Sequence, residues 1–452
     1  MRRSYPLFFH HVFRMVILLA AFLTASTPLA MATAEVSATV PYALYASTTS
    51  MNELHQLDPT TLTDLGDARM LESSMPWPQL TTSADGSTFV LIYNDQIIGE
   101  KADVEPSAIV IQDGVHGKER LRIPLKGDTA FSPLLSADGS RLVVQVGTLM
   151  CGPSGCGPQS WFCYDTRTGK RISTIEGPND PAWPSMIDAG GHRLYVPFTN
   201  RSASSTPVTT AIAAAEGAKG PWPLQIAGYD LDTGREIAHL TLPNVMAGSW
   251  QQGMIDQMPR METVQPAIAL SPDGTRLAVI DAGMQTLTVV AADTLKITAT
   301  HDLHRSASKL EQLARWLGIA PQPAAAKALE GTTLNATFSP DGAQLYLWGD
   351  EITIGASMDD IEGHGLGLMR VDLGTGTIAD VGLGGKDLVN VLVAPDGASL
   401  YVVAQDTPWW ENQSGAGAGY TLRRLDGKTL KVIASREFSS WPRVELLAVD
   451  QP

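Results

Sequence analysis

The chain has 452 residues and a formal net charge of −15, with 32 lysine and arginine residues against 47 aspartate and glutamate residues. A nucleic-acid-binding domain should carry a basic footprint, so the acidic balance excludes nucleic acid as the main partner and disfavours anionic lipid surfaces. Length alone predicts about two or three domains, but an internal repeat predicts one repeating domain over residues 35–452.

Residues 1–34 have the pattern of an export signal. Arg2 and Arg3 give a positive start, the apolar run from Val16 to Leu23 is too short to span a bilayer, and a small-residue cleavage site ends at Ala34. We therefore predict cleavage before Glu35 and a periplasmic or extracellular mature chain, with an uncleaved membrane anchor as the alternative. No later run approaches about 18 apolar residues, so no membrane span is expected after signal removal.

The repeating unit is clearest between Pro266 and Thr300. Its apolar segments predict four short strands, at 268–270, 277–280, 287–290 and 296–300, and the first two are joined by the turn Ser271-Pro272-Asp273-Gly274. In such a turn proline presets φ, aspartate bonds to its own backbone and glycine takes the positive-φ position. One four-stranded antiparallel sheet cannot bury both of its faces, so it needs further copies of itself.

Those copies are present along the chain. Similar first turns occur at residues 83–86, 136–139, 188–191, 271–274, 339–342 and 394–397, and a buried strand is predicted after each. A seventh unit is divided, with later strands at Tyr42 to Tyr45 and Leu54 to Leu57 and its first strand at Val444 to Asp450. We predict an all-β fold, a seven-bladed β-propeller of four-stranded antiparallel blades, closed when the C-terminal strand joins the N-terminal blade.

The motifs resemble those of a known superfamily. A Ser-Pro-Asp-Gly turn followed by a Leu-Tyr-Val strand, and then a Tyr-Asp-x-x-Thr-Gly turn such as 164–169, resembles the YVTN/WD40-like propellers, which include the heavy chain of quinoprotein amine dehydrogenases and lactonase-type propellers. The resemblance covers about residues 40–450 and implies an exported propeller. It implies no activity, because propellers have many unrelated functions.

The insertions indicate which end of the blades binds. The first turns, between strands one and two, and the second turns, between strands three and four, stay short. The connections between strands two and three, such as 349–365, and between blades, such as 244–265, are predicted to be long loops. Since strands alternate in direction, both kinds of connection emerge at the same end. Insertions on one face usually mark a binding face, and tryptophan is enriched in binding patches. The binding residues that we predict at this end are Trp222, Trp250, Trp316, Trp409 and Trp410, although packing of these rings onto the propeller is the alternative interpretation.

Two further local features are predicted. A capping-box pattern at Ser308 to Glu311 and a leucine face predict a helical insertion near 306–330, within a longer insertion at 303–330. In an oxidising compartment Cys151 and Cys156 are candidates for a small-loop disulfide, which would leave Cys163 buried in a strand.

The sequence carries no catalytic motif of the Gly-x-Ser-x-Gly or His-Glu-x-x-His type. His301, His304 and His364 are loop histidines near acidic residues, but no defined ligand spacing supports a metal site, so no catalytic residue, metal or cofactor is predicted. We predict a non-catalytic exported propeller that binds a partner protein or an extracellular glycan. The alternatives are a propeller hydrolase or lactonase with an acidic or metal site at the long-connection end, and a scaffold subunit of a periplasmic oxidoreductase.

Overall fold

The computed structural model describes residues 42–48, 53–71, 79–93, 107–125, 130–147, 159–178, 185–199, 220–255, 258–305, 331–354, 361–406, 419–438 and 444–450. The chain divides into two compact units, Met1–Val40 and Pro41–Pro452. The first unit contains the expected export signal and lies outside the described residues.

The described residues contain no helix and form 31 strands in seven sheets. Sheet 1 takes β1 (Tyr42–Thr48), β2 (Glu53–Leu57) and β3 (Arg69–Met70) from the start of the unit. Sheet 2 contains β4 (Gln79–Thr82), β5 (Thr88–Tyr93), β6 (Ala108–Asp113) and β7 (Glu119–Pro124). Sheet 3 contains β8 (Ala130–Leu135), β9 (Arg141–Val146), β10 (Ser160–Asp165) and β11 (Arg171–Glu176).

The next two sheets surround the stretch that defined the repeat. Sheet 4 contains β12 (Met186–Ile187), β13 (Arg193–Thr199), β14 (Trp222–Asp230), β15 (Glu236–Ile255) and β16 (Met258–Val264). Sheet 5 contains β17 (Ala267–Leu270), β18 (Arg276–Ile280), β19 (Thr286–Ala291) and β20 (Lys296–Asp302). The four strands of sheet 5 agree with the sequence-based prediction to within two residues at each end.

The last two sheets complete the unit. Sheet 6 contains β21 (His304–Arg305), β22 (Thr332–Phe338), β23 (Gln344–Ile354), β24 (Ile361–Gly365), β25 (Leu368–Asp372) and β26 (Thr377–Gly382). Sheet 7 contains β27 (Asp387–Val393), β28 (Ser399–Gln405), β29 (Tyr420–Asp426) and β30 (Val432–Phe438). The final strand, β31 (Val444–Asp450), returns to sheet 1 and pairs antiparallel with β1, from Tyr42 opposite Asp450 to Thr48 opposite Val444.

The prediction of uniform four-stranded antiparallel sheets is wrong for sheets 4 and 6. Residues 244–265, expected to form a loop, instead extend β15 and add β16, so sheet 4 has five strands. In sheet 6 the segment 349–365, also expected to be a loop, forms the hairpin of β23 and β24. Sheet 6 also gains β21, which pairs parallel with β26. Each addition pairs backbone groups that a loop of the same length would leave to solvent.

The apolar core is divided into layers between consecutive sheets. One cluster joins sheets 2 and 3 through Val90 and Val144, and another joins sheets 5 and 6 through Leu287 and Leu347; both clusters consist of buried side chains. Successive side chains along a strand point to opposite faces of its sheet. A strand such as β18 therefore contributes side chains to the apolar layers on both sides of sheet 5. The result is a propeller-like all-β fold in which each sheet packs face to face with the next.

Two expectations fall partly or wholly outside the described residues. The predicted helical segment 306–330 lies outside them, while His304 and Arg305, within the predicted insertion 303–330, form strand β21. Cys151 and Cys156 also lie outside them. Cys163 lies in β10 with a free, buried thiol, as the sequence predicted. Within the described ranges, no helix is long and apolar enough to cross a bilayer.

Candidate functional site

The first turns, which join the first and second strands of the sheets, lie at one end of the sheets, and the long connections lie at the other. In the turn after β17, Ser271 Oγ donates to Asp273 and accepts the N–H of Arg276 at 2.9 Å, while Asp273 accepts the N–H of Thr275 at 3.1 Å. These bonds lower the pKa of Asp273 to about 2, with the serine hydroxyl as the largest cause. The carboxylate of such a turn aspartate is therefore ionised and already hydrogen-bonded within its own turn.

A cavity of about 550 Å³ lies at this first-turn end. Its walls come from the first strands and first turns of sheets 2 to 6, including Ala137, Ser185, Ile268 and Phe338. The Ser185 hydroxyl is buried and has no hydrogen-bond partner among the described residues. Asp188, the acidic residue of the lining, already accepts the N–H groups of His192 and Arg193. The cavity can hold a small neutral molecule, but its described lining offers no nucleophile paired with a base.

The opposite end carries the predicted tryptophan site. Trp222 begins β14 and Trp250 lies in the extension of β15, and their rings pack edge to face with centroids 6.4 Å apart at 89°. Trp250 is only 5% exposed and packs against Val264 and Ala282, whereas Trp222 is half-buried. The two rings are therefore brought together, with Trp250 as the packed support and Trp222 as the ring that reaches the surface.

Two glycines allow this arrangement. A Cβ at Gly248, where φ is +117°, would lie 2.7 Å from the Trp222 ring, and a Cβ at Gly220 would lie 2.8 Å from the Trp250 ring. Distances below 3.0 Å require a shift of the ring or the backbone. The φ angle at Gly248 is also one that residues with a side chain rarely adopt, so both constraints favour glycine at this position.

The remaining predicted binding residues cannot be placed beside this pair. Trp316, Trp409 and Trp410 lie outside the described residues. The histidines considered as ligands are separated along strands, with His301 in β20, His304 in β21 and His364 in β24. Across the described ranges, no group of three histidine, cysteine or acidic side chains is placed to hold a metal ion.

Sequence reasoning missed two carboxylates at the same end as the tryptophans, one half-buried at Asp350 and one buried at Asp387. Asp350 lies in β23 beyond its apolar segment and accepts a short hydrogen bond from Thr333 Oγ1 of β22. Asp387 is the first residue of β27 and is 8% exposed. Burial, with Asp350 as the second cause, raises the pKa of Asp387 to about 6, and burial also raises the pKa of Asp350. No spacing in the sequence relates these two residues, because the electrostatic effect of Asp350 on Asp387 depends on how sheets 6 and 7 pack.

Comparisons with known proteins assign no family to this chain. No family model and no curated protein matches the sequence. Among solved structures, the hydrazine synthase of Kuenenia stuttgartiensis is similar over 80% of this chain and 79% of its own chain, with 14% sequence identity and a TM-score of 0.40. At that level of similarity no residue or activity can be transferred, and the site must be argued from its own geometry.

Proposed function

We propose that the seven sheets are the blades of a closed propeller of the YVTN/WD40-like type and that pairing of β31 with β1 completes the ring. Two observations and one general rule support the closure. The first strands of sheets 7, 1 and 2 lie side by side as β27, β31 and β4. The Tyr42 hydroxyl bonds the Tyr401 hydroxyl at 2.7 Å across sheets 1 and 7. A closed ring leaves no inner sheet edge exposed.

On this framework the function that the geometry supports best is binding of a protein partner by a non-catalytic exported propeller, through the surface around Trp222. The observation that carries this proposal is the half-buried Trp222 ring, held against buried Trp250 at the end of the sheets where the long connections emerge. A rigid aromatic anchor beside a polar rim is typical of interface hot spots. The rim here includes the Ser249 and Thr263 hydroxyls, which bond each other at 2.9 Å on the β15–β16 ribbon.

The test is capture from the native envelope fraction by the immobilised mature chain. Trp222→Ala should reduce recovery of a specific protein by at least about tenfold, the effect of removing a hot-spot residue worth 1.4 kcal/mol or more. The control is Ile297→Ser, which removes an apolar side chain that is 50% exposed on the outer strand of sheet 5. Equal recovery by both variants and the wild-type chain would remove Trp222 from the interface.

A glycan ligand would give a different outcome from the same variants. Wild-type chain would then bind immobilised glycans in the absence of any protein, and Trp222→Ala would abolish that binding. The Trp409→Ala and Trp410→Ala variants extend the same comparison to two predicted residues outside the described ranges. A protein partner predicts no glycan binding by any of the four chains.

The second candidate function is hydrolysis by an acidic site at the long-connection end, and it is favoured by the half-buried Asp350 and buried Asp387 carboxylates. Two carboxylates whose pKa values are perturbed by burial are a common arrangement in acid–base catalysis. A panel of ester and lactone substrates tests it, and turnover lost in Asp387→Asn would establish it. The binding proposal predicts no turnover by the wild-type chain.

Export is proposed from the sequence of residues 1–34. Expression of the full chain in a bacterial host, followed by mass measurement of the protein recovered from the periplasm, should give a chain that starts at Glu35. Recovery of the intact chain from the membrane fraction would instead support the uncleaved anchor.

A further inference from the structure

The cavity at the first-turn end is lined by apolar side chains from the first strands. β12 contributes Met186 and Ile187, and β17 contributes Ile268 and Leu270; all four side chains are half-buried. Half-buried apolar side chains that line a cavity leave surface that an apolar ligand can remove from water. The volume of about 550 Å³ lies within the range of about 300–1,000 Å³ that is common for small-molecule sites.

The first turns around the cavity are bonded to one another. The Ala84 N–H donates to the Ala137 carbonyl at 3.0 Å, and the Ala137 N–H donates to the Ala189 carbonyl at 3.1 Å, so the turns of sheets 2, 3 and 4 are joined in series. Arg276, at the start of β18, donates to the Gly342 carbonyl in the first turn of sheet 6 at 3.0 Å. A site whose walls are fixed before binding loses little conformational entropy when a ligand enters. The cavity is therefore preformed.

One buried hydroxyl of the lining has no partner. Ser185 directly precedes β12 and is 3% exposed, and its Oγ makes no hydrogen bond within the described ranges. The other two buried serines of the lining, Ser136 and Ser271, each donate to an aspartate of their own turn. Buried polar groups are normally bonded, so Ser185 is an exception at the wall of a cavity. Because no bond holds its hydroxyl, rotation about χ1 can bring it to a polar group inside the cavity.

Charge determines which ligands the cavity admits. Hydrogen bonds within the first turns lower the pKa of four turn aspartates around it, Asp85, Asp138, Asp273 and Asp341. These ionised carboxylates repel an anion at the entrance. Asp188 is the one ionisable residue of the described lining, and it already accepts the N–H groups of His192 and Arg193. A cation would therefore lose its hydration without gaining an unbonded counter-charge.

We propose that this cavity binds a small uncharged molecule with an apolar body and one hydroxyl or carbonyl group. The apolar body packs against β12 and β17, and the polar group bonds to Ser185. The apolar side chains supply the contact area, and the serine hydroxyl, which can donate or accept, fixes the orientation. The cavity lies at the opposite end of the sheets from Trp222, so the site does not depend on a protein partner there.

The test uses N-phenyl-1-naphthylamine, an uncharged dye whose emission rises in an apolar site, with the purified mature chain. Three competitors with the same alkyl chain differ only in the head group: 1-octanol, octanoate and octylammonium. We expect 1-octanol to displace the dye, and each charged competitor to displace it at least about tenfold less well, because the charge must be desolvated. Absence of dye emission would overturn the site, and equal displacement by a charged competitor would overturn the ligand class.

Two pairs of variants locate the bound molecule. Ser185→Ala should weaken displacement by 1-octanol about three- to tenfold, the effect of one neutral hydrogen bond. Ser47→Ala, which removes a buried hydroxyl without a described partner from β1, should leave it unchanged. Ala336→Phe adds a ring to the cavity wall and should abolish dye emission, whereas Ala434→Phe adds the same ring to a half-buried position of β30 and should not.

Melting temperature separates loss of the site from loss of the fold. Ser185→Ala removes a buried hydroxyl that makes no described bond, so this variant should melt at or above the wild-type temperature. It therefore gives a result even if the added ring of Ala336→Phe prevents folding. Dye emission that persists in a folded Ala336→Phe chain, or equal effects of Ser185→Ala and Ser47→Ala on 1-octanol, would overturn the proposal. These results do not depend on whether the Trp222→Ala variant loses its partner.

Discussion

At the residue scale, the first turns depend on one hydroxyl that is both donor and acceptor. Ser271 is 3% exposed, donates to Asp273 and accepts the backbone N–H of Arg276. The same pair of contacts recurs at Ser136 and at Ser339. A buried N–H that loses its acceptor costs about 1–3 kcal/mol, so these serines contribute to stability in proportion to their burial.

We therefore expect Ser271→Ala to lower the free energy of unfolding by about 1–2 kcal/mol, because one buried N–H and one carboxylate lose their partner. Urea denaturation measures the difference. The control is Thr294→Ala, whose exposed hydroxyl makes one long contact of 3.3 Å with Asp293; it should stay within about 0.5 kcal/mol of wild type. The folded pKa of Asp273, about 2, is below its ordinary value of 3.8. Stability from this turn is therefore present above pH 4 and is lost as the pH falls toward 2. Equal loss in the two variants would assign the turn's stability to its backbone bonds alone.

Asp387 has the opposite pH dependence. Its folded pKa of about 6 is above the ordinary value of 3.8, so stability is greatest below pH 4 and falls as the pH rises through 6. In metal-free buffer, Asp387→Asn should therefore be more stable than wild type at pH 7.5, by about 2–3 kcal/mol, and equal to it near pH 4. Urea denaturation across pH 4 to 8 measures this. Asp426→Asn is the control of opposite sign, because bonds from Thr429 lower the pKa of Asp426. A pH profile unchanged by Asp387→Asn would contradict the assigned ionisation.

These two aspartates also show what single-sequence reasoning can reach. The turn at Asp273 is specified by four consecutive residues, so its position and its bonds were predictable from local turn chemistry. The surroundings of Asp387 depend on the hairpin of β23 and β24, which brings residue 365 against residue 386 across more than twenty positions of sequence. The burial of Trp250 likewise depends on Val264 and Ala282, so the exposure of this ring could not be predicted from sequence alone.

At the element scale, the β15–β16 ribbon is the feature that the sequence described least well. Residues 244–265 contain little regular alternation and several residues with low strand propensity, including Gly248 and Gly253. The ribbon forms because Gly248 to Ile255 pair with Met258 to Val264 and because Trp250 is buried at its base. Tertiary packing thus stabilises a strand conformation that local propensity does not favour.

The ribbon gives a prediction that depends on a single methyl group. Gly248→Ala places a Cβ 2.7 Å from the Trp222 ring at a φ of +117°, so we expect the ring to move and the chain to lose about 1–3 kcal/mol of stability. Tryptophan fluorescence and urea denaturation measure the two effects. Gly384→Ala is the matched control, because nothing lies within 4 Å of its added Cβ. Unchanged fluorescence in Gly248→Ala would show that the ring is not held at this glycine.

At the scale of the whole molecule, the junction of sheets 7 and 1 carries several polar contacts. Tyr401 bonds Tyr42 and also donates to the Pro59 carbonyl at 2.8 Å. Arg424 donates to the Thr60 carbonyl at 3.2 Å, and Arg436 pairs with Asp64 at 2.9 Å. Each of these bonds contributes about 1 kcal/mol or less to stability. Together they set the alignment of the two sheets more than they stabilise the junction. The larger contribution must come from strand β31.

Removal of β31 tests the proposed closure directly. A chain that ends at Arg443 loses the backbone partners of Tyr42 to Thr48 and exposes both an inner sheet edge and the apolar side chains beside it. We expect this chain to melt at a lower temperature and to associate with itself. A synthetic peptide of residues 444–452 should restore the melting temperature in proportion to its concentration, as a ligand of the folded state does, whereas a scrambled peptide should not. If the shortened chain were monomeric and melted like wild type, the C-terminal strand would be an attached edge and not the element that closes the propeller. Calorimetry and light scattering on the same samples separate these outcomes.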